Sequence, residues 1–202
     1  MRQVIAAVLV TAAFVFSASC GKGDHEASAS DRDIDASEQV KFDAERHPEK
    51  IVVALGIGPG SHVADIGAGS GLLTVHLARA VGPSGKVVAT DISADVLGLM
   101  KKRLAKDKLD GIVEERVVQA EQTGLEDGAF DAILLAEVDN YFVDPVAWLQ
   151  NAKKALKPGG KIVIENRIHR RTGAMAAAQK AGLVLQSETN RIPSNFIAVF
   201  TI

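Results

Sequence analysis

Three glycines at alternate positions, Gly67, Gly69 and Gly71, give the chain its clearest chemical signal. They follow a short apolar segment that contains Asp65 and precede a predicted helix. Glycine tolerates positive φ and lets a ligand approach the backbone closely. The first turn of the following helix adds free N–H groups. This pattern predicts a small-molecule site at a strand-to-helix turn.

The spacing of the loop separates it from two common phosphate-binding loops. A dinucleotide-binding loop needs its third glycine one position later, where this chain has Leu72. A phosphate-binding P-loop also needs Gly-Lys-Ser/Thr, which does not follow here. The carboxylate of Asp65 would repel a pyrophosphate and suits a cationic ligand instead.

A second acid, Asp91, ends the next predicted strand, about 20 residues after Gly71. That is the separation at which an acid contacts ribose hydroxyls in nucleotide-binding folds. Ile92 beside it is placed to contact a base. The alternative is that Asp91 caps a helix, because Ser93 and Ala94 begin the next helical segment.

Strands and helices alternate along the chain, which predicts an α/β fold with a doubly wound, mostly parallel sheet. Ligands bind beyond the carboxyl ends of the strands in such folds. The predicted strands are residues 62–66, 86–90, 112–118, 131–136, 161–165, 183–189 and 196–201, and the predicted helices are residues 38–45, 48–55, 72–81, 94–106, 145–156 and 172–181.

Composition limits the function further. The 202 residues are enough for one domain with a substantial core. A net charge of −2 and an aromatic content of 4% argue against a nucleic-acid partner. The single cysteine excludes an internal disulfide and a cysteine-cluster metal site, and no metal is predicted.

The N-terminus predicts an export signal over residues 1–19. The lone Cys20 follows Ser17-Ala18-Ser19, and the segment resembles a bacterial lipoprotein signal, in which this cysteine becomes the lipidated first residue. Residues 20–37 have the composition of a flexible tether, and residues 38–202 form the domain. We therefore expect a lipid-anchored protein on the periplasmic side of a bacterial envelope; a soluble periplasmic protein and a retained anchor are the alternatives.

Four segments in order resemble the class I S-adenosylmethionine-dependent methyltransferases, of the type found in quinone biosynthesis. They are residues 63–71, Asp91-Ile92, residues 126–131 and Leu156-Lys157-Pro158-Gly159-Gly160, and the resemblance extends over residues 48–165. It implies a Rossmann-like, seven-stranded sheet with an antiparallel last strand. It also implies S-adenosylmethionine as the cofactor.

The resemblance assigns roles to individual residues. The loop of Gly67, Ala68, Gly69 and Gly71 would enclose the methionine part of the cofactor, and Asp65 would support its amino end. Asp91 would hold the ribose hydroxyls, with Ile92 against adenine. Where the family has an adenine-binding Asp, this chain has Gln119, followed by Ala120, whose N–H suits the adenine ring. Glu137, after the fourth strand, completes the set.

The acceptor side is less specific. Glu137 or Asp139 is a candidate base, and Tyr141 a candidate wall of the pocket; alternatively, Asp139 and Asn140 are loop or capping residues and Tyr141 lies at the edge of the core. No Asp-Pro-Pro-Tyr motif of amino-group methyltransferases is present, which argues against methylation of adenine in nucleic acid.

After the fifth strand, three arginines and a histidine lie where acceptors usually enter: Arg167, His169, Arg170 and Arg171. Arginine forks would suit an anionic acceptor, and His169 is a candidate general base. The alternatives are a solvated loop or a positive face toward anionic lipid.

The sequence thus predicts a methyltransferase acting on a small-molecule or lipid-like acceptor, attached to a membrane through Cys20. One alternative is an exported binding module that kept the fold without catalysis. Another is a cytosolic methyltransferase whose N-terminal anchor faces inward.

Overall fold

A computed structural model describes residues 36–190 and 192–202. The predicted export signal, Cys20 and all but the last two residues of the predicted tether lie outside this range. The helices are α1 (Ala36–Arg46), α2 (Pro48–Leu55), α3 (Thr74–Val81), α4 (Ala94–Lys106), α5 (Pro145–Ala155) and α6 (Arg171–Lys180); the strands are β1 (His62–Ile66), β2 (Lys86–Asp91), β3 (Val113–Val117), β4 (Phe130–Ala136), β5 (Leu156–Arg167), β6 (Val184–Thr189) and β7 (Asn195–Thr201).

The seven strands form one sheet in the order β3-β2-β1-β4-β5-β7-β6. All neighbouring pairs are parallel except those that β7 makes with β5 and β6. The predicted doubly wound sheet with an antiparallel last strand is therefore confirmed. The strand order reverses between β1 and β4, so a crevice is expected at their carboxyl ends.

The core lies on both faces of the sheet because successive strand residues point to opposite faces. On one face, Val63 and Val87 pack with α2, α3 and α4. On the other face, Ala64 and Val88 pack with α5 and α6. The central strands are apolar on both faces, which is typical of a parallel sheet covered by helices.

About half of the element boundaries shift by one or two residues from the sequence-based predictions, and the start of β5 shifts by five. The segment from Leu156 to Gly160 was predicted to end a helix before a strand at Lys161, but it lies within β5. The pairing with β4 shifts there, from Phe130 opposite Leu156 to Ala132 opposite Lys161. A Cβ at Gly160 would lie 2.9 Å from the carbonyl oxygen of Phe130, so the close approach of the two backbones requires glycine.

Helix α1 begins at Ala36, two residues before the predicted start of the domain, and buries none of its residues. Side-chain contacts hold it to the rest of the fold. Arg103 donates to Glu38 at 2.6 Å, and His76 contacts Asp43 at 2.7 Å. In the part of the chain that the structure describes, no helix has the length and apolar character that crossing a membrane requires.

Candidate functional site

Two adjoining cavities open at the carboxyl ends of the central strands. The loop cavity, of about 270 Å³, lies between α1 and the glycine loop, and the β2-side cavity, of about 310 Å³, lies beyond the end of β2. Both are lined by Gly67, Ala136 and Glu137, so they form one cleft. This is the position at which the fold predicts a ligand.

The glycine loop has the geometry that its composition predicts. Gly67, Gly69 and Gly71 all adopt positive φ, at 66°, 58° and 81°. A Cβ at Gly67 would lie 2.6 Å from Cγ2 of Val138, and one at Gly71 would lie 2.4 Å from Cγ of Met100. Side chains at these two positions would therefore collide with the protein as well as strain the backbone.

Asp65 is buried below the loop and lines the loop cavity. Its carboxylate accepts a hydrogen bond from Oγ1 of Thr74 at 2.7 Å. Burial raises the pKa of Asp65 to about 7, and the nearby charge of Asp91 adds to the shift. A cationic ligand beside this carboxyl group would favour its ionised form.

Asp91 joins the glycine loop to the start of α4. Its Oδ2 accepts from the backbone N–H of Gly69 and its Oδ1 from that of Ser93, each at 3.0 Å. Ser93, not Asp91, caps α4, because its hydroxyl accepts from the N–H of Val96. Each carboxylate oxygen can accept a second hydrogen bond, so Asp91 retains capacity for a ligand's hydroxyls.

The far end of the β2-side cavity differs from the predicted arrangement. Gln119 is exposed and is not among the lining residues, whereas Ala120 and Gln122 are. Glu121 accepts from the backbone N–H of Val143 at 2.9 Å, which ties this loop to the segment after β4. Ile92 is 67% exposed and lines the same cavity. The placement favours Gln122 over Gln119 as the amide at this end.

Unpaired polar atoms concentrate at this cleft. Among the described residues, four buried side-chain nitrogen or oxygen atoms have no hydrogen-bond partner. Three belong to residues that line the cleft: Nε of Arg46, Oγ1 of Thr90 and Nε1 of Trp148. These three atoms are themselves buried, so they lie beside the cleft rather than in its open surface. The glycine loop and its two acids fit a nucleoside that carries an amino acid.

Glu137 is held in a charge network rather than free. It adopts positive φ and pairs with Arg46 at 2.9 Å and with Arg167 at 2.7 Å. Arg46 also pairs with Glu165 at 2.5 Å, and Asn195 donates to Glu165. Burial raises the pKa of Glu165, and the charge of Arg46 opposes that rise. Because guanidinium groups engage both oxygens of Glu137, the geometry disfavours it as a base.

This network was missed by sequence reasoning. Arg46 lies 91 positions from Glu137 and 119 from Glu165. No motif spans such distances, and Arg46 belongs to a helix with no other predicted role. The only available signal was the isolated acid at the end of an apolar strand, Glu165.

Asp139 and Tyr141 face different cavities. They form a short 3₁₀ turn in which Asp139 is buried and Tyr141 is 75% exposed. Asn166 donates to Oδ1 of Asp139 at 2.6 Å, and burial raises the pKa of Asp139. Tyr141 lines the β2-side cavity, whereas Asp139 lines a third cavity of about 230 Å³ between α5 and α6. We call this third space the α5–α6 cavity.

The three arginines at the end of β5 and just after it do not form one anion site. Arg167 pairs with Glu137, and Arg171 pairs with Glu188 at 2.5 Å. Arg170 lines the α5–α6 cavity near the carboxyl group of Asp139. His169 is exposed and lines none of the three cavities.

The sheet order, the glycine loop and the two acids define the class I methyltransferase fold. The chain belongs to the methyltransferase domain family, which it matches over residues 57–190. The resemblance inferred from the four sequence segments is thereby confirmed at the level of the domain.

Individual proteins agree with this assignment. The chain is 33% identical over 113 residues to the ubiquinone/menaquinone biosynthesis C-methyltransferase UbiE of Cellvibrio japonicus, covering 56% of this chain and 45% of that protein. It spans about half the length of the curated relatives it matches.

Solved structures share the fold. A SAM-dependent methyltransferase from Aquifex aeolicus superposes with a TM-score of 0.73 at 21% identity, covering 83% of this chain and 98% of that one. Geranyl diphosphate C-methyltransferase from Streptomyces coelicolor A3(2), in complex with Mg²⁺, geranyl diphosphate and S-adenosyl-L-homocysteine, gives a TM-score of 0.65 at 19% identity, with 85% of each chain covered. The fold is therefore that of the S-adenosylmethionine-dependent methyltransferases.

Proposed function

We propose that this protein transfers a methyl group from S-adenosylmethionine to a small-molecule or lipid-like acceptor. The observation that carries the proposal is the cleft, where a positive-φ glycine loop lies between Asp65 and Asp91. Membership of the methyltransferase domain family supports the same reaction class.

Each part of the cleft suits one part of the cofactor. Asp65 and Glu137 place acidic groups in the loop cavity, where the cationic methionine end belongs. Asp91 offers both carboxylate oxygens to ribose hydroxyls, and Ile92 offers an apolar surface to adenine. When bound, S-adenosylmethionine supplies an electrophilic methyl group on a sulfonium, so the protein mainly has to orient the acceptor.

For the acceptor we propose the α5–α6 cavity. Phe142 lines both it and the β2-side cavity, so the two spaces share a wall. Its other walls are largely apolar, including Leu149 and Ile164, and Arg170 and Asp139 supply polar groups. This chemistry fits a small apolar molecule with an acidic hydroxyl or other anionic group. Asp139, whose pKa is raised by burial, is the candidate to receive a proton from it.

The cofactor assignment is tested by calorimetry of the full chain with S-adenosylhomocysteine. We expect Asp91→Ala to weaken binding about tenfold or more, because hydrogen bonds to a charged group contribute about 1.5–3 kcal/mol each. Asp110→Ala, in the exposed turn before β3, is the control and should bind as the wild type does. Absence of binding by the wild type would overturn the cofactor assignment, and unchanged affinity in Asp91→Ala would overturn the ribose role.

The acceptor site is tested by comparing two neighbouring arginines. Methyl transfer is first screened with quinones, small aromatic acids and isoprenoid diphosphates. Arg170→Gln should lower kcat/KM for the acceptor about tenfold at low salt, and the loss should shrink as salt screens the charge. Arg171→Gln, whose partner Glu188 lies on β6, should leave it unchanged. Equal effects of the two substitutions would contradict this choice of cavity.

We further propose that the protein is exported and attached to a membrane by lipid on Cys20. The support is the sequence pattern of a short apolar run, small residues and a lone cysteine. Labelled fatty acid should enter the wild type and not Cys20→Ala in the native host. Equal labelling of the two would contradict lipid attachment.

A further inference from the structure

Exposed apolar side chains concentrate at one edge of the sheet. Among the described residues, ten large hydrophobic side chains are exposed; five lie on α1, on α2, on β6 and after β7. The other five lie at the carboxyl ends of parallel strands or in the turns that follow: Ile92, Val117, Tyr141, Val143 and Ile168. The turns at the opposite ends of β1 to β4 contain none: residues 56–61, 82–85, 107–112 and 124–129. Scattered apolar residues are ordinary on a protein surface, whereas a group at one edge marks an interaction surface. We call these five residues the apolar rim.

The apolar rim borders the entrances of the proposed site. Ile92 and Tyr141 line the β2-side cavity. Val143 is 90% exposed, yet its backbone N–H donates to the carboxylate of Glu121 at 2.9 Å, so an ordered turn presents this apolar side chain. The turn Ile168–Arg170 contributes its last residue to the α5–α6 cavity. A lipid-like acceptor would therefore enter the cleft between these side chains.

The domain begins at the same edge. In the first turn of α1, Gln39 donates to the carbonyl oxygen of Leu72 at 3.0 Å. Arg103 donates to Glu38 at 2.6 Å and to the carbonyl oxygen of Ser70 at 3.0 Å. Both carbonyl groups belong to the segment between β1 and α3, which follows the carboxyl end of β1. The chain therefore enters the domain at the edge that carries the apolar rim.

Lipid on Cys20 would bring this edge toward a membrane. Cys20 precedes Ala36 by 16 positions. Sixteen residues of polar, Ser-rich composition average about 20–25 Å from end to end. A compact domain of this size is about 40 Å wide. A lipid anchor therefore holds the edge where α1 begins closer to the bilayer than the opposite edge.

The polar groups beside the apolar rim suit lipid headgroups. His169 and Arg170 are exposed next to Ile168, where they can face anionic headgroups. Two acids in the same region, Glu121 and Asp144, accept hydrogen bonds from backbone N–H groups. A tyrosine at such a surface is typical of membrane interfaces, because its ring is apolar and its hydroxyl is polar. A protein docked on the rim would cover the entrances, whereas a bilayer there can supply the acceptor.

We propose that the apolar rim rests on the surface of a lipid bilayer, so that the cleft opens toward the membrane. This rests on the proposed function, because it names the phase from which a lipid-like acceptor is taken. The contact is shallow: the rim side chains enter the headgroup region and the sheet stays outside it. Stable attachment generally takes two signals, and the lipid on Cys20 and the rim together supply them.

Hydrogen exchange of the full chain on vesicles tests the contact. The vesicles contain phosphatidylcholine and phosphatidylglycerol, about four to one, and neither cofactor nor acceptor is added. Vesicles should slow exchange about fivefold in residues 139–144 and 168–170 and leave residues 107–112 unchanged. Val143→Ser combined with Ile168→Ser should abolish this protection. Val53→Ser is the matched control, because Val53 is 79% exposed on α2, away from the rim, and should leave the protection intact.

A pair of added tryptophans gives a second measurement. Lipids brominated in their acyl chains should quench Val143→Trp clearly more than the wild type and should quench Val53→Trp no more than the wild type. Equal quenching of the two variants would overturn the proposal. So would vesicle binding without protection of the rim, or no vesicle binding at all.

Sedimentation without vesicles covers the other occupant of such a surface, a second copy of the chain. A dimer that Val143→Ser dissociates would make the apolar rim an interface between copies and overturn the proposal. The failure of the proposed function is distinguishable, because none of these measurements includes S-adenosylhomocysteine. A chain that binds vesicles through the rim and does not bind that ligand would overturn the proposed function alone.

Discussion

The two sides of the cleft are held together by different means. On the loop side, the contacts are local: Asp65 bonds Thr74 nine positions away, and Asp91 bonds the backbone of Gly69 and Ser93. On the network side, Arg46 and Glu165 meet from elements 119 positions apart. The loop side fixes backbone shape, whereas the network side balances charge.

This contrast predicts where damage will appear. A change on the loop side should alter the backbone or a single buried acid. It should therefore change both the stability of the protein and its affinity for the cofactor. A change on the network side should loosen α1 and the strand ends while the glycine loop keeps its shape. The following variants test that division.

The largest effect should come from Asp65 and depend on pH. Its pKa of about 7 in the folded state exceeds the ordinary value of 3.8, so the folded protein keeps a proton that the unfolded chain releases. Stability should therefore fall as the pH rises from about 4 to about 7, by roughly 4 kcal/mol when the full shift is counted. Asn at position 65 cannot titrate, so the free energy of unfolding of Asp65→Asn should fall less over this pH range than that of the wild type.

Urea denaturation at intervals from pH 4 to pH 8 measures this difference. The matched control is Asp131→Asn: the pKa of Asp131 is lowered, so its own titration lies below this window and the slope should persist. Bound cofactor should flatten the wild-type slope, because its positive charge favours ionised Asp65. A slope in Asp65→Asn equal to that of the wild type would contradict the assignment.

Gly71→Ala should follow in size. The new Cβ would lie 2.4 Å from Met100 and the residue would be held at a φ of 81°. Left-handed strain and overpacking together should lower the free energy of unfolding by about 3 kcal/mol. Gly173→Ala in α6 is the control, since its Cβ meets nothing within 4 Å and alanine favours helix. Equal melting temperatures of the two variants in thermal denaturation would contradict this prediction.

On the network side, Asn195→Ala should cost about 2 kcal/mol, because the buried carboxylate of Glu165 loses a charged hydrogen bond. Limited proteolysis should then cut α1 faster than in the wild type. Asn151→Ala, at an exposed position on α5, should show neither effect. A loss of stability without faster cleavage of α1 would mean that the network does not restrain this helix.

The smallest effect should be that of Ile92→Ala on cofactor affinity. Ile92 is largely exposed, and a base packed on it would bury only part of its surface. The expected loss in affinity for S-adenosylhomocysteine is about threefold, with no change in stability. Val143→Ala, 90% exposed and outside the cleft lining, is the control. An unchanged affinity in Ile92→Ala would place the base elsewhere.

The loop side and the network side of the cleft also differ in how well the sequence predicts them. The alternation of strands and helices, the positive φ of the glycines and the position of Asp91 follow from periodicity and short spacings. The family resemblance placed Gln119 at the base end by alignment on Phe130-Asp131, whereas in the structure Gln119 is exposed and Gln122 lines the cavity. Sequence reasoning also grouped Arg167, Arg170 and Arg171, which lie at the end of β5, in the following 3₁₀ turn and at the start of α6 and reach three different partners or cavities.

The location of Trp148 has an optical consequence. It is the only tryptophan of the chain, and Tyr141 is the only tyrosine. Both line the β2-side cavity, and the Trp148 ring stacks on Phe142 with 4.4 Å between ring centres. All intrinsic indole and phenol emission therefore originates beside this cavity, where we propose that adenine binds. Near-ultraviolet circular dichroism and fluorescence quenching thus read the occupancy of this cavity directly, without an added label.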